Sequence, residues 1–275
     1  MNRRRILNLA CGFVLSLLLA VGCSQTTPET TEPQQTASPV SSTQQTELTV
    51  SAAASLTDAM NAIQPIYEQE NPQVKLTYNL ASSGSLQQQI EQGAPVDVFI
   101  SAAPKQMNAL EEKQLLLSGT RQDLLKNDMV LIVPKGENTV KTFEDLTTEQ
   151  VEKIAVGEPE SVPAGKYAQE VLTSLNLLET LQPKEVYAKD VRQVLTYVES
   201  GNVDAGIVYS SDAKISDQVE IVATAPAESH SPIIYPVAVI QSSKNPEVSK
   251  DFIQFLSGEQ AKAVFEQYGF GILEK

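Results

Sequence analysis

The sequence is poor in the residues that most catalytic and metal-binding sites require. Its 275 residues contain one histidine, two cysteines and no tryptophan. His230 lies in a polar stretch, and the sequence contains no Gly-x-Ser-x-Gly motif. The pattern of a Ser-His-Asp triad is therefore missing. With one histidine, only carboxylates are left as metal ligands, and neither a calcium loop nor a glycine-rich phosphate loop is present. These absences favour a binding protein over an enzyme, and no cofactor is predicted.

Basic residues are also scarce. The chain has 20 lysines and arginines against 34 aspartates and glutamates, which gives a formal net charge of −14. Such a surface repels nucleic acid and anionic lipid, so neither is expected as a partner. A small anion is not excluded, because N–H and O–H dipoles act locally and distant surface charges are screened.

The N-terminal region is predicted to be an export signal. Three arginines at residues 3–5 precede an apolar run at residues 7–21, and small residues lead into Cys23. Residues 1–22 therefore resemble a lipoprotein signal peptide, after which Cys23 is lipidated and becomes the mature N-terminus. An ordinary secretory signal with an incidental cysteine is the alternative. In either case the protein is exported, and its mature part has no cysteine pair for a disulfide.

Residues 23–46 contain almost nothing apolar. Threonine, proline, glutamine, serine and glutamate dominate this segment. It cannot bury enough surface to offset the entropy of ordering, so it is predicted to be a disordered tether between the lipidated cysteine and a folded part.

Two serine-containing turns mark the first half of the folded part. In each, a strand-like run leads through small residues into a helix-like run, with Ser55 in the first turn and Ser83 in the second. Either Ser83 or Ser85 can cap the second helix. The simpler interpretation is two capped helices. The alternative is an anion site, because unpaired N–H groups and the helix dipole both favour negative charge at a helix N-terminus.

Strands and helices alternate from Glu47 onward, which predicts an α/β fold with mostly parallel sheets. In the second half, three further positions follow buried strands. Ala164 falls in the first turn of a helix, Val191 follows the potential N-cap Asp190, and Tyr209 ends a strand. Taken singly, each is more typical of ordinary structure than of a ligand site.

The order of these segments resembles one family, the periplasmic molybdate-binding proteins of bacterial ABC importers. The resemblance covers essentially all of residues 47–275. It rests on Val50-Ser51-Ala52-Ala53-Ala54-Ser55-Leu56-Thr57-Asp58, Ala81-Ser82-Ser83-Gly84-Ser85, Gly93-Ala94-Pro95-Val96-Asp97-Val98-Phe99, Val162-Pro163-Ala164-Gly165, Asp190-Val191-Arg192, Gly206-Ile207-Val208-Tyr209-Ser210-Ser211-Asp212 and Tyr235-Pro236-Val237.

The resemblance implies a two-lobed type II periplasmic-binding-protein fold. Each lobe is expected to be a mostly parallel sheet flanked by helices. Lobe 1 comprises residues 47–126 and 229–275, and lobe 2 comprises residues 127–228. A two-segment hinge near residues 126–129 and 223–233 would let the lobes close on the ligand.

The resemblance also implies the ligand contacts. Ser55 and Ser83 are expected to donate from lobe 1, while Ala164 and Val191 offer backbone N–H groups and Tyr209 its phenol from lobe 2. The ligand is molybdate or tungstate, held as an oxyanion without a directly coordinated metal ion. Gly84 departs from the family pattern, where a third serine or threonine is common, and is expected to loosen its loop.

The implied function is capture of molybdate, and of tungstate, for an inner-membrane ABC permease by a monomeric, membrane-anchored lipoprotein. It would work on the periplasmic or cell-surface side. The alternatives are the same fold binding another oxyanion such as sulfate, or acting as an extracytoplasmic sensor.

Overall fold

The computed structural model describes residues 45–273. The predicted signal peptide, Cys23 and residues 23–44 of the predicted tether lie outside the described residues. The first strand begins at Thr46, one residue before the predicted start of the folded part.

Strands and helices alternate along the described chain as the sequence predicts. The strands are β1 (Thr46–Ala53), β2 (Val74–Ala81), β3 (Val98–Ile100), β4 (Gln122–Lys126), β5 (Met129–Pro134), β6 (Ile154–Gly157), β7 (Glu185–Ala188), β8 (Ala205–Tyr209), β9 (Val219–Thr224), β10 (Ile234–Val239) and β11 (Gly271–Ile272). The helices are α1 (Thr57–Glu70), α2 (Ser83–Glu91), α3 (Pro104–Glu112), α4 (Pro163–Ser174), α5 (Leu178–Leu181), α6 (Val191–Glu199), α7 (Ser210–Lys214), α8 (Pro246–Leu256) and α9 (Glu259–Gln267).

The strands form two sheets. The first has the order β11-β4-β10-β3-β1-β2, and the second has the order β7-β6-β8-β5-β9. The chain passes from the first sheet to the second at residues 127–128 and returns at residues 225–233. We call residues 45–126 and 234–273 the first half, and residues 129–224 the second half.

Both sheets are mixed, where the sequence predicted mostly parallel sheets. β1 runs parallel to β2 and β3, and β6 runs parallel to β7 and β8. β10 is antiparallel to β3 and β4, and β5 is antiparallel to β8 and β9. The chain passes between the two sheets twice, before β5 and before β10. Each of these strands therefore begins at the edge of its new sheet where the parallel strands end, and it runs antiparallel to them.

Helices cover both faces of the first sheet because its central strands are apolar on both sides. In β3, Val98 and Ile100 join a core with α1, α8 and α9, while Phe99 joins a separate core under α2 and α3. This alternation follows from the period of two in a strand. Within residues 45–273, no helix is both long and apolar enough to span a membrane.

The segment between β5 and β6 contains little helix. Within residues 143–152, only Glu144–Thr147 forms a 3₁₀ turn. The hydroxyl groups of Thr147 and Thr148 donate to the carbonyl groups of Glu144 and Asp145. Such local bonds compete with helix propagation and end the turn.

Candidate functional site

A small cavity lies where the carboxyl ends of strands from both sheets meet. Its volume is about 10 Å³, which is room for about one water molecule. It is lined by Ala53, Ala54, Ser55, Ser82, Ser83, Ala102, Val162, Pro163, Ala164, Val191 and Tyr209.

Ser55 lies in the 3₁₀ turn that connects β1 to α1. Its side chain is buried, and Ser55 Oγ lies 2.9 Å from Tyr235 Oη. Asn127 Nδ2 donates to the same Tyr235 oxygen over 3.3 Å. Since that bond satisfies the tyrosine oxygen as an acceptor, the Tyr235 O–H is free to donate to Ser55. The Ser55 hydroxyl hydrogen is then available to the cavity.

Ser83 is the first residue of α2 and is fully buried. Its Oγ accepts a 2.9 Å hydrogen bond from Ala102 N, so its own O–H is left to donate. The cap of α2 is Ser82, whose Oγ accepts from Ser85 N over 3.3 Å. The prediction that Ser83 or Ser85 caps this helix is therefore wrong. Because Ser82 takes that role, Ser83 is left for the cavity.

Ala164 and Val191 line the cavity from the second half, each in the first turn of a helix. Ala164 is the second residue of α4 after Pro163, and Val191 is the first residue of α6. At these positions an N–H group has no acceptor within its helix. Asp190 is the N-cap of α6, as predicted, with its carboxylate accepting from Gln193 N over 2.9 Å.

Tyr209 ends β8 and has its hydroxyl in the cavity wall. The side chain is 1% exposed, and its hydroxyl oxygen has no hydrogen-bond partner in the protein. Burial, together with the neighbouring Tyr235 and Tyr167, raises the pKa of Tyr209 well above its usual value. The phenol is therefore a neutral donor at every physiological pH. A buried hydroxyl normally finds a partner, so an unpartnered one facing a cavity points to a ligand with an acceptor.

The cavity wall carries no charge. None of its lining residues is acidic or basic, and the described residues contain no cluster of three or more metal-ligating side chains. What the wall offers is a set of neutral O–H and N–H donors beside the positive ends of helix dipoles. Such a set can replace the water shell of an anion without a counter-ion.

Gly84 brings the two halves into direct contact beside the cavity. Gly84 N donates to Ser161 O over 2.9 Å, and a Cβ on Gly84 would lie 2.5 Å from that oxygen. That glycine loosens this loop stays a prediction. The missing side chain lets the backbone of the second half approach and hydrogen-bond to α2.

All five residues predicted from the sequence line this one cavity, although their contact with a ligand stays a prediction. Tyr235, Asn127 and Ser161 were not predicted. Tyr235 lies within a quoted motif, but only the fold brings its hydroxyl to Ser55. A larger cavity of about 410 Å³ lies beside Tyr167. We assign the site to the small cavity, because the donors converge there.

The sequence and the fold match a known family. A family model for bacterial extracellular solute-binding proteins matches residues 48–271. The chain belongs to this family. This solute-binding protein is 44% identical over 256 residues to the putative ABC transporter substrate-binding lipoprotein YvgL of Bacillus subtilis, covering 93% of this chain and 94% of the relative.

Two further relatives match nearly as much of the chain. The molybdate-binding protein ModA of Escherichia coli is 43% identical to this solute-binding protein over 231 residues, which cover 82% of this chain and 89% of the relative. The substrate-binding domain of a putative molybdenum ABC transporter from Clostridium difficile superposes with a TM-score of 0.66 at 53% identity, covering 83% of this chain and 100% of that domain. The predicted α/β fold of this family and the resemblance drawn from the motifs are both confirmed.

Proposed function

We propose that this protein captures molybdate in the cavity between its two halves and delivers it to an ABC permease. The observation that carries the proposal is the buried, unpartnered Tyr209 hydroxyl in a neutral cavity that is also lined by three serines and by the N-termini of α2, α4 and α6. Relatives that are named for molybdate binding, at 42 and 43% identity, support the choice of ligand.

The ligand contacts follow from the donors. Ser55 and Ser83 donate their hydroxyl groups, Ala164 and Val191 their backbone N–H groups, and Tyr209 its phenol. Because these groups are donors, a protonated phosphate brings a hydrogen atom that lacks an acceptor. Sulfate is too small to reach every donor at once. Tungstate is nearly the same size as molybdate, so both bind.

The first half corresponds to lobe 1 of the binding protein, which spans residues 47–126 and 229–275. The second half corresponds to lobe 2, which spans residues 127–228. The two crossings of the chain act as the hinge. Closure around the anion is the signal that the permease reads. The protein itself carries out no catalysis and works as a monomer.

Export and anchoring complete the proposal. A relative that matches 93% of this chain is named as a lipoprotein, and Cys23 follows small residues at the end of an apolar run. We therefore propose that Cys23 is lipidated and that residues 23–46 tether the binding domain to the membrane.

Calorimetric titration tests the ligand assignment. The purified protein is titrated in turn with molybdate, tungstate, sulfate and phosphate. Saturable heat from molybdate and tungstate alone is the expected result. Binding of sulfate or phosphate in their place, or of none of the four, would overturn the ligand assignment.

A further inference from the structure

We propose that Arg192 and Asp58 form an ionic catch that holds the two halves closed over the anion, with Arg192 as a positioning residue for the ligand site. The inference rests on the proposed function, since it concerns how long the captured anion is retained. Neither residue lines the cavity.

The contacts of Arg192 cross between the halves. Arg192 belongs to α6 in the second half, directly after Val191. Its Nε and Nη2 each lie 3.3 Å from a carbonyl oxygen of the first half, those of Ala54 and Ser55 respectively. Nη2 also makes an ion pair with the carboxylate of Asp58 in the first turn of α1.

A second carboxylate holds the same guanidinium within its own half. Asp212 on α7 is fully buried, and its Oδ1 lies 3.0 Å from Arg192 Nε. A buried carboxylate is costly unless it is paired. Asp212 pairs with Arg192 by charge, without a hydrogen bond, and lies in the same half, so this pairing persists when the halves separate. The contact with Asp58 exists only when the halves are together.

The placement of these bonds explains why the catch affects the anion. The turn that Arg192 holds carries Ser55, and the helix end that carries Arg192 also carries Val191. The catch thus fixes the distance between a donor of the first half and a donor of the second half. Arginine suits this task because its planar fork donates to several acceptors at once, which a lysine ammonium cannot reproduce in the same geometry.

The contacts of Arg192 also explain how a positively charged side chain can lie next to a cavity whose wall is uncharged. The guanidinium faces two carboxylates and two carbonyl groups, so its charge is compensated locally. Association with the anion then depends little on Arg192, while dissociation, which requires opening, depends on it directly.

Stopped-flow kinetics of molybdate binding to wild type and to Asp58→Asn test the catch. Asp58 is 41% exposed, so the ion pair is partly screened. We expect the dissociation rate to rise about three- to tenfold and the association rate to change less than twofold. The difference between the proteins shrinks in high salt. Thermal unfolding of the ligand-free proteins separates this effect from a general loss of stability and is expected to be unchanged within a few degrees.

Glu247→Gln is the matched control. Glu247 is also a first-turn carboxylate of a first-half helix, and it pairs on the surface with Lys250. Its neutralisation is expected to leave both molybdate rates as in wild type. A second variant, Arg192→Lys, keeps the positive charge beside Asp212 but lacks the planar guanidinium that donates to several acceptors at once. It is expected to raise the dissociation rate, and adding Asp58→Asn should raise it by less than the product of the two single effects.

Two results would overturn the catch: an unchanged dissociation rate in Asp58→Asn, or an equal rise in Glu247→Gln. Failure of wild type to bind molybdate would overturn the proposed ligand alone. In that case the same rates are measured with whichever oxyanion binds, and binding of no oxyanion overturns both proposals.

Discussion

The two halves of the protein contribute to the cavity by different means. The first half supplies side-chain hydroxyl groups, from Ser55 and Ser83. The second half supplies mainly the backbone N–H groups of Ala164 and Val191, with Tyr209 as its one side-chain donor. The difference matters because a single substitution removes a hydroxyl group, whereas a backbone N–H group survives every substitution except proline. The first half should therefore be sensitive to mutation where the second half is tolerant.

The largest expected effect comes from Ser55→Ala and Ser83→Ala. A hydrogen bond to a charged group contributes about 1.5–3 kcal/mol, so each change is expected to weaken molybdate binding about 10- to 100-fold. Calorimetric titration measures the loss, and circular dichroism checks that the fold is intact.

Val191→Ala is the matched control from the second half, because it shortens a buried side chain but keeps the N–H group. Its molybdate affinity is expected to stay within about threefold of wild type, even though a cavity of this kind lowers stability by about 1 kcal/mol. Equal losses of molybdate affinity in the two serine variants and in Val191→Ala would contradict the expected difference between the halves.

Tyr209→Phe tests the one side-chain donor of the second half. The change removes a hydroxyl group that is buried and unpartnered within the protein, so the ligand-free protein is expected to be as stable as wild type or more stable. Molybdate affinity is expected to fall about tenfold. Chemical denaturation without ligand, paired with titration, separates the two effects; a loss of stability without a loss of affinity would contradict a ligand role.

Gly84→Ala tests the backbone contact between the halves. The new Cβ would stand 2.5 Å from Ser161 O and prevent the present approach. Molybdate binding is expected to weaken several-fold, while α2 itself gains from alanine. Ser161→Ala keeps the carbonyl group and serves as the control, with wild-type affinity expected. Unchanged affinity in Gly84→Ala would mean that this contact does not assist closure.

The last prediction is a pH dependence of stability that arises from one buried carboxyl group of the second half. Burial raises the pKa of Asp212 to about 7, against the opposing effect of Arg192 and with further contributions from Asp58 and Asp190. Because the folded pKa lies above the unfolded one, the folded state binds the extra proton between about pH 4 and 7. Stability from this group is therefore fully present at low pH and is lost as pH rises towards 7.

Asp212→Asn removes that dependence. Relative to this variant, wild type is expected to lose about 2–3 kcal/mol of unfolding free energy between pH 5 and pH 8. Urea denaturation at several pH values measures it, with the exposed Asp217→Asn as the control. A parallel pH dependence in wild type and Asp212→Asn would exclude Asp212 as its source.

The sequence predicted the elements whose signals are local. The alternation of apolar and polar residues predicts β1, β2 and the helices after them, and β1 and β2 pair in parallel with Ala53 opposite Ala81. Asp190 was predicted as a cap because a carboxylate before a helix accepts from its first turn. The five candidate site residues came from the resemblance of the ordered motifs to a known family, because Ala164, Val191 and Tyr209 taken singly are typical of ordinary structure.

The sequence alone thus determined the class of fold and the order of the elements, because propensity, capping and periodicity act over a few residues; it indicated the candidate donors only through its resemblance to a known family. Only the tertiary structure decided which strands run antiparallel, that Ser82 rather than Ser83 caps α2, and that Gly84 is a point of contact. It also decided that Arg192 reaches Asp58, 134 positions away in the chain. These features depend on how distant segments approach one another, and the free energy of such contacts is set by geometry that no local pattern encodes.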